Sequence, residues 1–166
     1  MPPSDEITIR PVTPADRAWI RELLITRWGA AEIVTRGSLH QADELPGFVA
    51  VMAGQPVGLV TYRHAGNECE VTSLDSLLER CGIGSRLLVA VEETARRQGL
   101  TRVWLITTND NLSALGFYQR RDYRLVAVHA GALAESRLLK PSIPLTGIDG
   151  IPLRDEIELA KSLDGD

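Results

Sequence analysis

Hydrophobic and polar residues alternate along the first half of the chain in a way that predicts β-strands. The alternation is regular over residues 7–12, and apolar runs at 48–52 and 57–62 flank a short segment with a glycine and a proline, which is typical of a hairpin. A further strand is predicted at about residues 68–74, after a Gly-Asn turn. The first half therefore predicts one strand followed by an antiparallel meander.

A helix is predicted between the first strand and the meander. Thr13 is suited to cap its N-terminus, Pro14 to occupy the first helical position and Asp16 to complement the positive end of the helix dipole. Apolar residues then recur at helical spacing to about Trp28. Residues 29–45 show no clear period and are interpreted as a short helix followed by a loop.

The second half of the chain alternates helices with strands. Its first helix has an apolar stripe formed by Leu87, Leu88, Val91 and Ala95. A buried strand is expected at residues 102–107 and a second helix at 112–121, with Asp110 or Asn111 as its cap. Another strand is predicted at 123–129. Because a strand–helix–strand crossover joins parallel strands, the sequence predicts an α/β fold (α+β by some schemes) with a mixed sheet and helices on both faces.

Composition and charge narrow the classes of function. The 166 residues suit a single domain, 1–166 with a core at about 7–163, and 44% of them are hydrophobic. The net charge of −4 argues against nucleic-acid or anionic-membrane partners, which select basic surfaces. Cys69 and Cys81 have no neighbouring histidines, so neither a metal site nor a disulfide framework is expected, and a reducing cytoplasm fits best. Residues 1–6 show no secretory leader, and no segment is apolar for long enough to span a membrane.

Two glycines, Gly82 and Gly84, stand at the start of the first helix of the second half. The unpaired N–H groups and the positive dipole end of a helix N-terminus attract phosphate, and glycine lets phosphate oxygens approach the backbone closely. This pattern predicts a site for a phosphorylated cofactor at residues 79–88. The same pair of glycines also occurs in plain tight turns. The motif therefore predicts a cofactor site only in combination with other motifs of the chain.

Three local motifs, in order along the chain, resemble the GNAT superfamily of acyl-CoA-dependent N-acetyltransferases. They are Arg10-Pro11 with Asp16, Gly82-Ile83-Gly84-Ser85-Arg86-Leu87-Leu88, and Asn111-Leu112-Ser113-Ala114 with Phe117-Tyr118. The resemblance covers about residues 7–163. It implies a mostly antiparallel sheet in which two parallel strands splay apart to admit the pantetheine arm of acetyl-CoA. It also implies an enzyme that acetylates a primary amine of a small molecule or protein by direct attack, without a metal, in a fold whose sheet edges are compatible with a homodimer.

The resemblance also assigns residues to the cofactor. Backbone amides at the helix start would hold the pyrophosphate, Leu74 would pair with pantetheine, and Asn111 would contact pantetheine while capping its helix. The complete predicted cofactor set is Leu74, Arg80, Cys81, Gly82, Ile83, Gly84, Ser85, Arg86, Asn111 and Tyr118. Two residues depart from the family pattern. Glu79 brings a negative charge near the phosphates, and Asp122 stands where a glycine is usual and must adopt a left-handed conformation.

Acetyl transfer to an amine requires a base for the amine and an acid for the departing thiolate. The resemblance places Tyr118 near the thioester sulfur as the acid. Glu70 is the first candidate for the base and Glu68 the second, because the two share one face of a predicted strand. A base acting through a water, and rate enhancement mainly by substrate positioning, are alternatives. Cys81 has no histidine nearby in the sequence, so it is not assigned as a nucleophile.

Residues 130–156 form an unusually long connection before a final predicted strand. Prolines make it stiff, and it is interpreted as a wall or lid over the acceptor site, with Arg137 or Lys140 meeting an anionic group. The segment of residues 29–45, together with Trp28 and including Arg36, would supply the opposite wall. A packed surface loop or a dimer contact is the alternative interpretation.

Two other classes of function are compatible with the same features. One is a catalytically idle acyl-CoA-binding or sensing module, which Glu79 and the lack of one obvious base favour and Tyr118 disfavours. The other is a dinucleotide-binding enzyme, which fits poorly because Leu87 stands where the third glycine of G-x-G-x-x-G belongs. The identity of the acceptor amine is not encoded in any motif.

Overall fold

The computed structural model describes residues 6–164, so residues 1–5, on which most of the expectation about a leader rests, lie outside this range. The strands are β1 (Ile7–Pro11), β2 (Glu32–Thr35), β3 (Ser38–Gln41), β4 (Gly47–Met52), β5 (Gln55–Ala65), β6 (Glu68–Ser76), β7 (Arg102–Thr108), β8 (Arg124–His129) and β9 (Glu156–Ser162). The helices are α1 (Arg17–Trp28), α2 (Ile83–Arg97), α3 (Leu112–Gln119) and α4 (Ala132–Leu139), and short 3₁₀ turns stand at Pro14–Asp16, Ala42–Glu44 and Ile148–Gly150. Within residues 6–164, no helix is both long and apolar enough to cross a membrane.

Seven of these strands form one sheet, in the order β1-β4-β5-β6-β7-β9-β8. β6 and β7 run parallel, as the crossover through α2 predicts, and the other neighbouring pairs are antiparallel. β6 and β7 pair only over residues 69–71 and 103–105, although they continue to Ser76 and Thr108. The two strands therefore splay apart, and the predicted mixed, mostly antiparallel fold is confirmed.

Helices cover both faces of the sheet, as predicted. On one face α2 packs into the larger core cluster, which includes Val60, Val71, Leu87, Leu88, Val91 and Leu105. On the other face α1 packs Ile20 and Leu24 against Val49 and Leu59. Leu59 and its neighbour Val60 serve different clusters because side chains alternate along a strand.

Residues 29–45 form a hairpin and a 3₁₀ turn, so the prediction of a short helix and a loop was wrong. β2 and β3 pair in antiparallel register over their full length. The turn places Arg36 and Gly37 at φ angles of 47° and 76°, the left-handed pair that favours a two-residue hairpin turn. The strands are only four residues long, and every residue of β2 is at least partly buried, which hides the alternation from the sequence.

The connection between β8 and β9 contains α4 and is not the continuous long loop that the sequence suggested. Helix-forming residues support α4, and Pro141 follows directly after Lys140, its C-cap. The rest of the connection is tied to the sheet by Asp110, whose carboxylate accepts hydrogen bonds from the Ile148 amide at 2.8 Å and from the Thr108 hydroxyl. The proline and glycine content obscured the short helix.

β8 forms one edge of the sheet and exposes the apolar side chains of Leu125, Val126 and Val128. An edge strand offers unpaired backbone groups to another chain. The homodimer stays a prediction, for which this edge is a suitable contact surface.

Candidate functional site

The gap between β6 and β7 lies near the centre of the sheet and begins after Val71. A bulge marks its start, since the register of β5 against β6 shifts and leaves Thr72 without a cross-strand partner. The hydroxyls of Thr72 and Ser73 both hydrogen-bond to that of Thr61. The part of β6 beyond Val71, residues 72–76, does not pair with β7 and is here called the free arm of β6. Leu74, predicted to pair with pantetheine, lies on this free arm.

The N-terminus of α2 follows the same arm. Gly82 is its N-cap, with a φ of 70°, and no side chain caps the helix within the described structure. The amides of Ile83, Gly84 and Ser85 precede the first helical hydrogen bond, which runs from the Arg86 amide to the Gly82 carbonyl at 3.1 Å. The turn therefore presents consecutive backbone donors, which is the arrangement that binds phosphate.

Gly84 also allows α2 to approach α3 closely. A Cβ at this position would lie 3.1 Å from the ring of Phe117. The N-terminus of α3 is capped by Asn111, whose side-chain oxygen accepts a hydrogen bond from the Ala114 amide at 3.1 Å, as predicted. The two motifs that are separate in the sequence are thus packed against each other.

The charged residues around the N-terminus of α2, at positions 79–86, differ in whether their side chains are free to contact a phosphate. Glu79, Arg80 and Cys81 are exposed to solvent, so the carboxylate of Glu79 is free to point away from the amides. Arg80 adopts a φ of 60°, a left-handed conformation that costs a non-glycine residue on the order of 1 kcal/mol. Arg86, one of the predicted cofactor residues, donates from Nη1 to the Ile7 carbonyl at 2.6 Å.

Arg121 is a cation beside the loop that the sequence analysis missed. Its Nε donates to the Ser85 hydroxyl at 2.7 Å and its Nη1 to the Phe117 carbonyl at 2.9 Å. The guanidinium also lies 3.6 Å from the centroid of the Phe117 ring. Partial burial lowers the pKa of Arg121, as does Arg120. Its only sequence signal was a basic pair at the end of α3.

Tyr118, the predicted acid, is 9% exposed and packs edge-to-face against Phe117 and Tyr123. Burial raises the pKa of Tyr118, and the negative charge of Asp75 raises it further. The hydroxyl group therefore keeps its proton at neutral pH. Its oxygen makes no hydrogen bond within residues 6–164, which leaves it available to a substrate atom.

Asp75 is a second residue that the sequence analysis missed. It lies on the free arm of β6, is 3% exposed, and its two oxygens accept the Trp28 indole N–H at 3.2 and 3.3 Å. Burial raises the pKa of Asp75, while Trp28 and the nearby Arg27 lower it. Asp75 lies one residue after Leu74, but no local pattern distinguishes it from other acids of the chain.

The carboxylates that the sequence proposed as bases lie at the paired end of β6. Glu70 is fully buried, and its oxygens accept hydrogen bonds from Arg63 Nε at 2.6 Å and the Thr35 hydroxyl at 2.7 Å. Glu68 pairs with Arg102 Nε at 2.8 Å. Both residues stay predictions as bases, but their present partners fix Glu70 to the β2–β3 hairpin and Glu68 to β7.

A group of three buried carboxylates and a buried indole ring, here called the carboxylate cluster, lies between the hairpin and the sheet. It consists of Glu70, Trp104, Glu156 and Glu158 from the sheet, with Arg36 of the hairpin turn above them. Arg36 donates its amide to Glu156 at 3.2 Å, and its Nη1 lies 3.4 Å from Glu158. Sequence analysis missed this group because its members are far apart in the chain, Arg36 and Glu156 by 120 positions.

The proposed acceptor-binding residues have identifiable partners. Arg137 donates to the backbone carbonyls of Ile143, Pro144 and Leu153. Its side chain therefore stabilises the connection between β8 and β9. Lys140 Nζ donates to the Glu32 carbonyl at 3.0 Å and contacts the Trp28 carbonyl at 3.5 Å, so the two predicted walls do meet. Their contact with a substrate stays a prediction.

Comparison with known proteins agrees with this geometry. Residues 15–123 match the model of the family described as "Acetyltransferase (GNAT) family". The chain is 42% identical over 146 residues to the uncharacterized protein YdhI of Bacillus subtilis (strain 168), an alignment that covers 87% of this chain and 91% of the relative.

Solved structures share the fold at lower identity. The IAA acetyltransferase from Bacillus cereus ATCC 14579 gives a TM-score of 0.72 at 21% identity, over 95% of this chain and 99% of the other. A GNAT family acetyltransferase from Elizabethkingia anophelis, with acetyl-CoA bound, gives 0.67 at 19% identity, again over 95% and 99%. At these identities the likeness concerns the fold.

Proposed function

Because this chain belongs to the GNAT family of acetyltransferases, we propose that it transfers an acetyl group from acetyl-CoA to a primary amine of a small molecule or protein, by direct attack in a ternary complex. One observation carries the proposal. The gap between two parallel strands, a helix start with free amides, and a buried tyrosine hydroxyl all adjoin one another.

The cofactor is proposed to bind along the free arm of β6 and over the start of α2. The amides of Ile83, Gly84 and Ser85 would hold the pyrophosphate, and the backbone at Leu74 would pair with the pantetheine arm. Arg121 adds a positive charge already fixed beside Ser85. Acetyl-CoA supplies the activated acyl group, and the chain's own contribution is to bind, orient and move protons.

Tyr118 is proposed to donate the proton that the departing thiolate needs. A phenol held protonated by burial is a proton source at neutral pH. In the proposed reaction a C–N bond forms as the C–S bond breaks. The proton lost by the amine leaves through a base, and the proton gained by sulfur comes from Tyr118.

Asp75 is proposed as that base, in preference to Glu70 and Glu68. It lies on the free arm of β6, its charge acts on Tyr118, and burial raises its pKa toward that of an effective acceptor of protons. Glu70 is enclosed by Arg63 and Thr35, which makes it a poor acceptor of a substrate proton.

The experiment that tests the proposal is ligand-dependent thermal unfolding, followed by an amine screen. Acetyl-CoA and CoA at 100 times their dissociation constants should add about 2.7 kcal/mol to the free energy of unfolding, while NAD adds nothing. Thiol release from acetyl-CoA in the presence of amines then shows turnover. Stabilisation by CoA without turnover on any amine would support the acyl-CoA-binding module instead, and no stabilisation would contradict both.

A further inference from the structure

Three buried hydroxyl groups, here called the hydroxyl cluster, lie where the free arm of β6 begins. They belong to Thr61 of β5 and to Thr72 and Ser73 of β6, which are 0%, 8% and 9% exposed. The Thr61 oxygen lies 2.7 Å from that of Thr72 and is also hydrogen-bonded to that of Ser73. The proposed function gives this cluster no role, and a count of its protons shows that one donor lacks an acceptor.

A chain of three hydroxyl groups held by two hydrogen bonds always leaves one proton unpaired. Each hydroxyl group donates one proton, so the three groups have three donors and the two bonds use two of them. None of the three oxygens has another hydrogen-bond partner in the described part of the chain. Because a buried donor without an acceptor costs free energy, the cluster is suited to donate to a ligand atom that has a lone pair.

The packing indicates which hydroxyl group holds the unpaired proton. Thr61 is fully enclosed, so a free proton there has no ligand within reach. Thr72 directly follows Val71, the last residue of β6 that pairs with β7, so the two strands are still close together beside it. Ser73 is the next residue along the widening gap. Donation therefore runs from Thr72 to Thr61, from Thr61 to Ser73, and from Ser73 into the gap.

The cluster lies on the face of the sheet that also carries the proposed base. Leu59, two residues before Thr61, packs against α1. Asp75, two residues after Ser73, contacts Trp28 at the C-terminus of α1. Side chains two residues apart in a strand point to the same face of the sheet. Ser73 and Asp75 therefore approach the gap from the same side.

The proposed direction of the cofactor brings its reacting end to this cluster. The phosphate site at residues 82–85 lies beyond the C-terminal end of β6, and the free arm runs back from there to Ser73. A cofactor with its pyrophosphate at that site and its pantetheine paired at Leu74 has its thioester near the start of the gap. The carbonyl oxygen of a thioester has lone pairs and no proton, so it is an acceptor that a hydroxyl donor fits.

We propose that Ser73 donates a hydrogen bond to the carbonyl oxygen of the acyl thioester, and that Thr61 and Thr72 are positioning residues that orient and strengthen this donor. Each hydrogen bond in such a chain polarises the next one. The inference rests on the proposed function, because the thioester is its ligand.

The role of Ser73 in the reaction follows from where charge develops. As the amine nitrogen bonds to the carbonyl carbon, an electron pair of the C=O bond moves onto oxygen, and it returns as the C–S bonding pair leaves with sulfur. Ser73 keeps its own proton throughout and stabilises the negative charge on oxygen. The proton of the amine and the proton for sulfur stay with the groups proposed above.

The first test requires no turnover. Acetyl-CoA with an isotopically labelled acetyl carbonyl group is bound to the protein, and difference infrared spectroscopy locates the carbonyl stretching band. A hydrogen bond to oxygen weakens the C=O bond, so the band should move to higher wavenumber in Ser73→Ala than in the wild type. Ser162→Ala, an exposed change at the end of β9, is the control and should leave the band in place. An unmoved band in Ser73→Ala would overturn the proposal.

Turnover provides the second test. Ser73→Ala should lower kcat by about 10²-fold, while affinity for CoA, which has no acyl carbonyl, stays unchanged. Thr72→Val keeps the shape of the side chain and should lower kcat by less than about tenfold, because Thr61 still donates to Ser73. Thr61→Val removes the orienting partner and should give both a kcat and a band position between those two variants. A loss in Thr72→Val as large as in Ser73→Ala would show that the cluster only holds the bulge, and would overturn the proposal.

The outcomes also separate this inference from the proposed function. If acetyl-CoA is turned over while Ser73→Ala changes neither the band nor kcat, the acetyltransferase proposal stands and this inference fails. If neither acetyl-CoA nor CoA stabilises the protein, both fail. A band that moves in Ser73→Ala without turnover on any amine would retain the hydrogen bond to the thioester and support the acyl-CoA-binding module.

Discussion

The two sides of the proposed active site are built by different means. The cofactor side uses backbone amides at the start of α2 and a glycine packed on Phe117, so its chemistry depends little on side chains. The side proposed for the acceptor holds buried carboxylates and their arginine partners, which come from the hairpin, β5, β6, β7 and β9. A backbone site tolerates exposed neighbours such as Glu79 and Arg80, whereas each buried charge on the acceptor side depends on a specific partner.

This difference indicates how the protein can specialise. In the proposed function, backbone amides hold the pyrophosphate, which is common to every acyl-CoA, while partners on the hairpin are proposed to decide which molecule enters the other side. Changes on the cofactor side should therefore act on CoA affinity, and changes on the acceptor side on the choice and the KM of the amine.

The largest effect on activity is expected for a change of Asp75, the proposed base between the cofactor side and the acceptor side. Asp75→Asn should lower kcat/KM by about 10²–10³-fold with little change in CoA affinity, because a base is lost and a binding group is not. Thiol-release kinetics and thermal shift with CoA measure the two quantities. Asp43→Asn, which removes the pair of a mostly buried aspartate with the exposed Arg21 at 3.4 Å, is the matched control and should leave both unchanged.

Trp28→Phe sharpens this assignment through its pH dependence. The Trp28 N–H lowers the pKa of Asp75, so its removal should raise that pKa. A base works only when ionised, so activity is present above its pKa and is lost as the pH falls through it. The acidic limb of the kcat/KM profile should therefore move to higher pH in Trp28→Phe. An unmoved limb would contradict Asp75 as the base.

Tyr118→Phe is expected to lower kcat by about 10²-fold, since the hydroxyl alone is removed and the ring packing is kept. The loss should be confined to turnover, with CoA stabilisation preserved. Wild-type turnover and an unchanged pH profile would show that Tyr118 is a core aromatic residue only.

Arg121→Ala tests the cofactor side. Loss of a charge-assisted contact should weaken CoA binding by about 1.5–3 kcal/mol, and the difference should shrink at high salt. Arg86→Ala is the comparison variant. The guanidinium of Arg86 already donates to the Ile7 carbonyl, so a smaller effect on CoA affinity is expected. The reverse order would restore Arg86 as the phosphate contact.

The sequence predicted more of the cofactor side than of the acceptor side. Gly82, Gly84 and Asn111 were identified because a helix start is encoded in adjacent residues, and the parallel β6–β7 pair because crossovers have a fixed geometry. The hairpin was missed because its four-residue strands have no clean alternation. Asp75 and Arg121 were missed because only packing shows that one lies beside Tyr118 and the other beside Ser85.

The smallest effect is expected where the hairpin is fixed to the sheet. Thr35→Val keeps the shape of a buried side chain but removes the hydrogen bond to Glu70, which should lower the free energy of unfolding by about 1 kcal/mol. Because the hairpin contacts Glu70 and Glu156 on the proposed acceptor side, KM for the amine should rise while CoA stabilisation stays constant. Thr8→Val, an exposed change on β1, is the control. Equal weakening of amine and CoA binding by Thr35→Val would show that the two sides are not independent, since the hairpin would then support the cofactor side as well.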